Sequence, residues 1–410
     1  MSEPSIMFLT RALDVGGAQR QLVELAAGLH RRGWSITVVT FYGGGALEGQ
    51  LRQTGVSIHC LEKHGRWDVL RFTLRLVRFI RCQQPSLVHG YLNLPNVLLV
   101  LLHPWFRRTP VVWGVAASNM DLRYYDWLAR VEFRLGVLFS RFCQLIICNS
   151  AAGRAYHIQR GYPCDRMVVI PNGIDIEQFR PNKRARDDLR TEWGIKPDEK
   201  LIGVVGRLDP MKDHATFLRA AAQVAATRAD ARFVCIGNGP SAYRDQLAYL
   251  SRSLELDRRL IWAGERGDMW RVYNALDLAV SSSISEGLPN VIAEAMATGL
   301  PCVVTDVGDS AALVGDLGWV CSPNDSRALS QAMMRALNSL PCDRSAIRRR
   351  ICAHYSSAAL VERTATELCR LIGDKVSAKE RTQQVPLYPL KTSVGARPQD
   401  RRNRRGARPL

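Results

Sequence analysis

Short apolar runs rich in β-branched residues alternate along the chain with longer stretches of helical period. "SIMFLT" (Ser5–Thr10), "SITVVTF" (Ser35–Phe41), "VSIHCL" (Val56–Leu61), "SLVHGY" (Ser86–Tyr91), "PVVWGV" (Pro110–Val115) and "QLIICNS" (Gln144–Ser150) read as strands buried on both faces. Helical patterns such as Ala18–Arg32 and Trp67–Gln84 fall between them. That alternation predicts a doubly wound α/β domain with a parallel sheet. The rhythm breaks over Ile170–Lys200, a polar stretch with prolines at 171, 181 and 197 that reads as an interdomain link. It resumes with "LIGVVG" (Leu201–Gly206), "ARFVCIG" (Ala231–Gly237), "RLIWAG" (Arg259–Gly264), "DLAVSSS" (Asp277–Ser283) and "PCVVTD" (Pro301–Asp306), a second doubly wound domain. The expected division is 1–180, 181–355, a C-terminal helix at 356–374 packing back on the first domain, and a basic disordered tail at 375–410. Ligands of such sheets bind at the carboxyl ends of the strands, so the expected site is the cleft between the domains.

A length of 410 residues agrees with two cores rather than one. The apolar run Val97–Leu102 stops at His103-Pro104, far short of the ~20 residues a spanning helix needs. The start, "MSEPSIMFLT", lacks the form of a signal peptide. Eleven cysteines without a CxxC pair suit buried thiols in a reducing cytoplasm, not a zinc site or disulfide framework. The net charge of +18 is uneven, with ten Lys/Arg against three Asp/Glu from Asp374 to Leu410. Such an excess points to an anionic partner: phospholipid, nucleic acid or a phosphorylated substrate. In "DVLRFTLRLVRFIR", Arg71, Arg75 and Arg78 adjoin a stripe of Leu70, Leu74, Val77 and Ile80. This suits an outer helix of the first domain, the preferred reading, or a helix resting on anionic lipid. The tail arginines have no interleaved aromatics, which argues against base stacking and hence against nucleic acid.

Three stretches carry candidate chemistry. In "SEGLPNVIAEAMATGLPCVVTD" (Ser285–Asp306), Pro289 starts a helix and Gly299 with Pro301 stops it. Its period puts Val291, Ile292, Ala295 and Met296 on the buried face and Asn290 with Glu294 on the other, beside only Ala293 and Ala297. Glu286 and the amides of Gly287, Leu288, Pro289 and Asn290 then lie at a helix entrance, which favours anions. Glycosidase carboxylates sit ~5–9.5 Å apart, whereas eight helical steps would part Glu286 and Glu294 by ~12 Å. Spacing therefore argues against an acid/base pair and leaves two readings open: a two-ended grip on one ligand, or plain solvated charges of a loop and a helix. In "GVVGRLDPMKDH", Gly206 ends a strand and Arg207 and Lys212 follow, two cations able to neutralise a diphosphate before a helix that begins near Asp213. In "LTRALDVGGAQRQ", Gly16-Gly17 lets backbone N–H groups approach an anion, without the GxGxxG spacing of a nicotinamide site. "FYGGG" (Phe41–Gly45) and "IGNGP" (Ile236–Pro240) read as plain loops.

Taken in order with "VIPNGID" (Val169–Asp175), these motifs resemble the family 4 (group 1) retaining glycosyltransferases, over roughly residues 5 to 372. The resemblance implies the GT-B fold of two Rossmann-like domains, the first holding the acceptor and the second the nucleotide sugar. It implies that Arg207 and Lys212 bind the leaving diphosphate, Glu294 the nucleotide ribose and Glu286 the donor sugar. Arg207, Lys212 and Glu286 are then the catalytic set. Gly16, Gly17, Gly206 and Gly287 to Asn290 complete the donor site. A histidine that many members carry after the fifth strand is missing from "VVWGVAASNMDLRYYDW", where Ser118, Asn119 or Asp121 stand as substitutes or as helix caps. His89 ends a strand and is given no role. The function implied is transfer of a sugar from a nucleotide donor, UDP-linked rather than GDP-linked, to the hydroxyl of a saccharide or lipid-linked acceptor. No metal or other cofactor is expected. The expected location is cytoplasmic, with an anionic membrane surface as a further partner. A sugar-nucleotide epimerase or phosphorylase of the same fold is the alternative, and a basic nucleic-acid-binding protein the alternative of another class.

Overall fold

The computed structural model describes residues 4–65, 67–116 and 127–373. The first half runs β1 (Ser5–Thr10), α1 (Gly17–Arg31), β2 (Ser35–Thr40), α2 (Glu48–Gln53), β3 (Ser57–Cys60), α3 (Val69–Gln83), β4 (Leu87–Tyr91), α4 (Asn93–Leu102), β5 (Val111–Val115), α5 (Trp127–Phe139), β6 (Leu145–Cys148), α6 (Ala151–Gln159) and β7 (Met167–Val169). Its seven strands are all parallel, in the order β3-β2-β1-β4-β5-β6-β7. The near-continuous apolar strands are covered on both faces. Leu22, Leu25 and Leu29 of α1 close one core; Phe72, Leu76 and Ile80 of α3 with Val97, Leu99 and Val100 of α4 close the other.

The second half runs α7 (Lys183–Glu192), β8 (Lys200–Val205), α8 (His214–Thr227), β9 (Ala231–Ile236), α9 (Ser241–Ser253), β10 (Leu260–Gly264), α10 (Met269–Ala275), β11 (Leu278–Ser281), α11 (Asn290–Ala297), β12 (Cys302–Thr305), α12 (Ser310–Val314), β13 (Trp319–Cys321), α13 (Ser326–Asn338), α14 (Arg344–His354) and α15 (Ser357–Ile372). Its parallel sheet is ordered β10-β9-β8-β11-β12-β13. The molecule is thus built of two Rossmann-like domains, as the alternation of elements predicts.

Three local readings need correction. The polar stretch after Ile170 is only partly a link, because α7 folds within it. Phe179, Leu189 and Ile195 enter the second core, and Arg186 and Arg190 reach Asp277 at 2.7 and 2.9 Å. Burial pushes the Asp277 carboxyl up, but Arg186, the Leu201 N–H and Arg190 outweigh it and hold its pKa low. A buried ion pair thus gives an apparently solvent-loving sequence a packed position. Second, β7 and β13 are three-residue strands, too short to stand out as periodic runs. Third, Ala293 and Ala297 do not border an open face of α11: both are fully buried, because α11 is covered by α14 and α10 as well as by the sheet.

The chain crosses between domains twice, and the crossings are bonded to one another. Ile174 N–H donates to Tyr355 O at 2.8 Å, and Ser357 N–H donates to Ile174 O at 2.9 Å. A Cβ on Gly173 would stand 2.7 Å from Ser357 Cα, so only glycine allows this approach. Beyond the crossing, α15 packs on α1 through Leu360, Val361, Ala365 and Leu368.

Candidate functional site

In each sheet the connections reverse direction between two central neighbours, β1 and β4 in the first and β8 and β11 in the second. Such a switch point opens a crevice at the strands' carboxyl ends. From β8 comes the loop Gly206–Asp213, and from β11 the loop Ser282–Pro289. Hydrogen bonds stitch the two together: Ile284 N–H to Met211 O at 2.9 Å and Ser282 Oγ to Lys212 O at 2.9 Å. Asp213, in the left-handed region at φ 46°, ends the first loop by accepting from Thr216 N–H at the start of α8.

Two predicted site residues meet here. Lys212 Nζ lies 2.5 Å from Glu286 Oε1, the oxygen to which Ser283 Oγ also donates at 2.7 Å. Thr305 Oγ1 fixes the loop behind them through Ser283 O at 2.6 Å. Arg207 is not gathered in. Its side chain is 74 % exposed and 3.4 Å from Asp209, so one cation is seated in the crevice while the other stands at its rim. The stretch "IGNGP" is a loop after β9, as read, and its glycines are needed for close packing. A Cβ on Gly237 or Gly239 would overlap Gly206 O or Leu208 O, so these glycines let the Arg207 loop lie on the turn after β9.

The second group forms at α11. Glu294, half-buried, accepts from Tyr273 Oη at 2.7 Å. Burial raises its pKa to about 7, while the Tyr273 hydrogen bond and the charge of Arg20 on α1 oppose the rise. Asn290, at the helix start, accepts through Oδ1 from Asn172 Nδ2 at 2.8 Å. The position of a Cβ on Gly17 is 3.7 Å from Asn290 Nδ2. The N-termini of α1 and α11 therefore face one another across the cleft. At such ends the first N–H groups have no intrahelical partner and present partial positive charge. Pro289 has no N–H, so within Gly287–Asn290 it shapes the turn and cannot donate. Gly16 forms the N-cap of α1 in extended backbone.

A further link spans the cleft. Asp309 accepts from the N–H groups of Ala151 at 2.7 Å and Ala152 at 2.9 Å, at the start of α6 in the other domain. Its own N–H donates to Gly287 O at 2.8 Å, and a Cβ on Gly308 would overlap Glu286 O. The turn carrying Glu286 is thus tied through Asp309 to the opposite domain. Neither Asp309 nor Tyr273 stood out in the sequence: Asp309 lies three residues beyond the stretch that carried candidate chemistry, and a tyrosine inside α10 reads as core. His89 is buried in β4 near the rings of Phe8 and Tyr91, where burial lowers its pKa to about 3 and keeps it neutral. Ser118, Asn119 and Asp121 lie outside the described residues. Among the described residues no group of three or more His, Cys, Asp or Glu is arranged to hold a metal ion.

Comparison with known proteins agrees with this fold. The profile of the family described as Glycosyltransferase Family 4 matches residues 15–178, and that described as Glycosyl transferases group 1 matches 199–339. The chain is 24% identical over 309 residues to the putative glycosyltransferase EpsF of Bacillus subtilis, covering 74% of this chain and 80% of that protein. It is 31% identical over 255 residues to the D-inositol 3-phosphate glycosyltransferase of Mycobacterium marinum, spanning 59% of this chain and about half, 53%, of the relative. The crystal structure of Anabaena HepE in complex with UDP and glucose superposes with a TM-score of 0.78 at 22% identity, over 89% of this chain and 99% of that one. With the two switch-point loops and both profiles in their places, the chain belongs to the group 1, family 4 glycosyltransferases of the GT-B fold.

Proposed function

We propose that this glycosyltransferase moves a sugar, with retention at the anomeric carbon, from a nucleoside diphosphate donor to an acceptor hydroxyl in polysaccharide or glycolipid assembly. The observation that carries the reading is the meeting of Lys212 with Glu286 at the β8–β11 switch point, ahead of a helix, α11, whose Asn290 and Glu294 face Gly17 and Arg20 of the first domain. Glu294 takes the ribose hydroxyls and Glu286 the donor sugar. Lys212 and Arg207 take the diphosphate, with the N–H groups of Gly287, Leu288 and Asn290 and the ends of α1 and α11 as further donors. The donor is UDP-linked rather than GDP-linked, a choice supported by the UDP and UDP-glucose held by HepE.

Lys212 is already paired with a carboxylate, so diphosphate binding exchanges one anion for another. Glu286 is thereby released toward the sugar as Lys212 turns to the phosphates. Arg207 swings in from the rim, and the fixed charges then stabilise the departing diphosphate. That neutralisation is assigned to these side chains and not to a metal ion. Closure about the paired crossings at Ile174 and Ser356 excludes water that would otherwise hydrolyse the donor. Eleven thiols without a disulfide support a reducing, cytoplasmic setting.

Acceptor-dependent release of nucleoside diphosphate, with the product anomer read by NMR, tests the reading. Release that needs no acceptor and accompanies epimerisation would replace it, as would dependence on inorganic phosphate.

A further inference from the structure

The helices on one face of the first sheet carry an outer surface that no element of the described residues covers. α3 and α4 share one core beneath that sheet, and α5 packs on α4. Eleven of the fourteen large apolar side chains that are exposed among the described residues lie on this layer and its turns, against two in the second domain. Scattered exposure of this kind is ordinary, but concentration on one layer is not.

The face of α3 is the densest part. Its helical period divides the residues that the sequence placed on one stripe. Of that stripe Ile80 points into the core, beside Phe72 and Leu76, while Leu70 and Leu74 are 72 % and 61 % exposed. Trp67, three residues before Leu70, is 90 % exposed. Arg71 and Arg78 are exposed on the same side. Arg75 is drawn aside by Asp68 at 2.7 Å, and a shallow recess remains between His64, Arg71, Leu74 and Arg75. Further round, Trp105, Leu138 and Phe142 are each more than half exposed, with Arg107, Arg108 and Arg141 exposed beside them. The described residues from 63 to 142 hold ten Lys/Arg and two Asp/Glu.

We propose that this face docks on an anionic phospholipid surface. Tryptophan and leucine exposed between arginines match the layered chemistry of a membrane interface. The rings and aliphatic groups enter the acyl boundary, and guanidinium groups meet the phosphates. Aliphatic side chains of this number offer nothing to a nucleic acid, and an excess of cations opposes pairing with a second copy of the same face. No helix of the described residues is long and apolar enough to cross a membrane, so the contact is peripheral. Because α3 begins where β3 ends, Trp67 lies at the cleft edge of the domain. A docked molecule therefore opens its cleft beside the lipid surface, which suits a lipid-linked acceptor; that last step rests on the transferase reading.

The test uses the full chain and vesicles of phosphatidylcholine with or without phosphatidylglycerol. Binding is expected only with the anionic lipid and is expected to weaken with salt. Trp67→Ser with Leu70→Ser and Leu74→Ser should lower partitioning about tenfold or more, as should Arg71→Glu with Arg78→Glu, since each surface cation contributes about fivefold. Thermal melting and donor hydrolysis should stay unchanged, which separates lost docking from lost folding or a lost active site. Absence of vesicle binding overturns the proposal. So does binding that survives both variants and disappears on deleting residues 375–410, or loss of a dimer in light scattering in place of loss of lipid.

Discussion

Replacement of the two glutamates should divide the proposed donor site in a way no acid/base pair would. Glu294→Gln keeps the size of the side chain and an acceptor for Tyr273 but removes the charge. If the carboxylate accepts from the ribose, the loss of a charged hydrogen bond is ~1.5–3 kcal/mol, and nucleoside diphosphate affinity should fall about tenfold to hundredfold. Donor affinity should fall equally, because both ligands carry the ribose. Glu286→Gln should spare the diphosphate or tighten its binding, since it releases Lys212 from its ion pair, while donor turnover falls. The raised pKa of Glu294 adds a second signature. A carboxyl held at about 7 in place of its ordinary 4.5 makes the ionised, unliganded fold less stable by on the order of 3 kcal/mol. The folded state holds the proton more tightly, so stability is full below pH 4.5 and is lost as pH rises toward 7. Glu294→Gln should therefore raise the melting temperature above pH 7 while it weakens nucleotide binding. Ligand binding favours the carboxylate, so wild-type affinity should drop below pH 7 by up to about tenfold per pH unit relative to the glutamine variant. Tyr273 and Arg20 face this carboxylate, and burial holds the Tyr273 hydroxyl well above its ordinary pKa. Titration calorimetry from pH 5.5 to pH 8.5 (a range of about three pH units,) and a melting series measure all of this. Unaltered diphosphate affinity in Glu294→Gln, with unaltered pH dependence, would refute the ribose assignment.

Arg207→Ala and Lys212→Ala should each slow transfer by ~10²–10³ with the fold intact, read by single-turnover kinetics and circular dichroism; near-normal rates in both would remove the diphosphate assignment. Asp309→Ala should free α6 from the turn after β12, giving a larger radius of gyration in X-ray scattering with donor bound and more hydrolysis per transfer; an unchanged ratio would leave Asp309 a structural cap only. Arg190→Ala leaves Asp277 with a weakened partner set in the core and should cost about 3–5 kcal/mol in urea unfolding. Deleting residues 375–410 should leave turnover on a soluble acceptor unchanged, measured by nucleotide release.

The alternation of apolar strands and helical patterns determined both doubly wound domains, because a strand buried on two faces writes a continuous apolar run that survives any tertiary detail. The motif spacing likewise placed Lys212, Glu286 and Glu294 at strand ends and a helix entrance, since those positions follow from local turns and caps. Burial of a polar stretch was not legible: besides Leu189, α7 buries Arg190 and half-buries Arg186, and their partner Asp277 lies some ninety residues away in sequence. The exposure of Ala293 and Ala297 was misread for the same reason, because a helical period names a buried side without saying how many neighbours cover it. The Lys212–Glu286 pair, the distance of Arg207 from it and the Asp309 contact with α6 join residues 74 or more positions apart. Their geometry depends on where two loops and two domains come to rest. That is decided by packing free energies summed over both cores, which no local stretch of sequence contains.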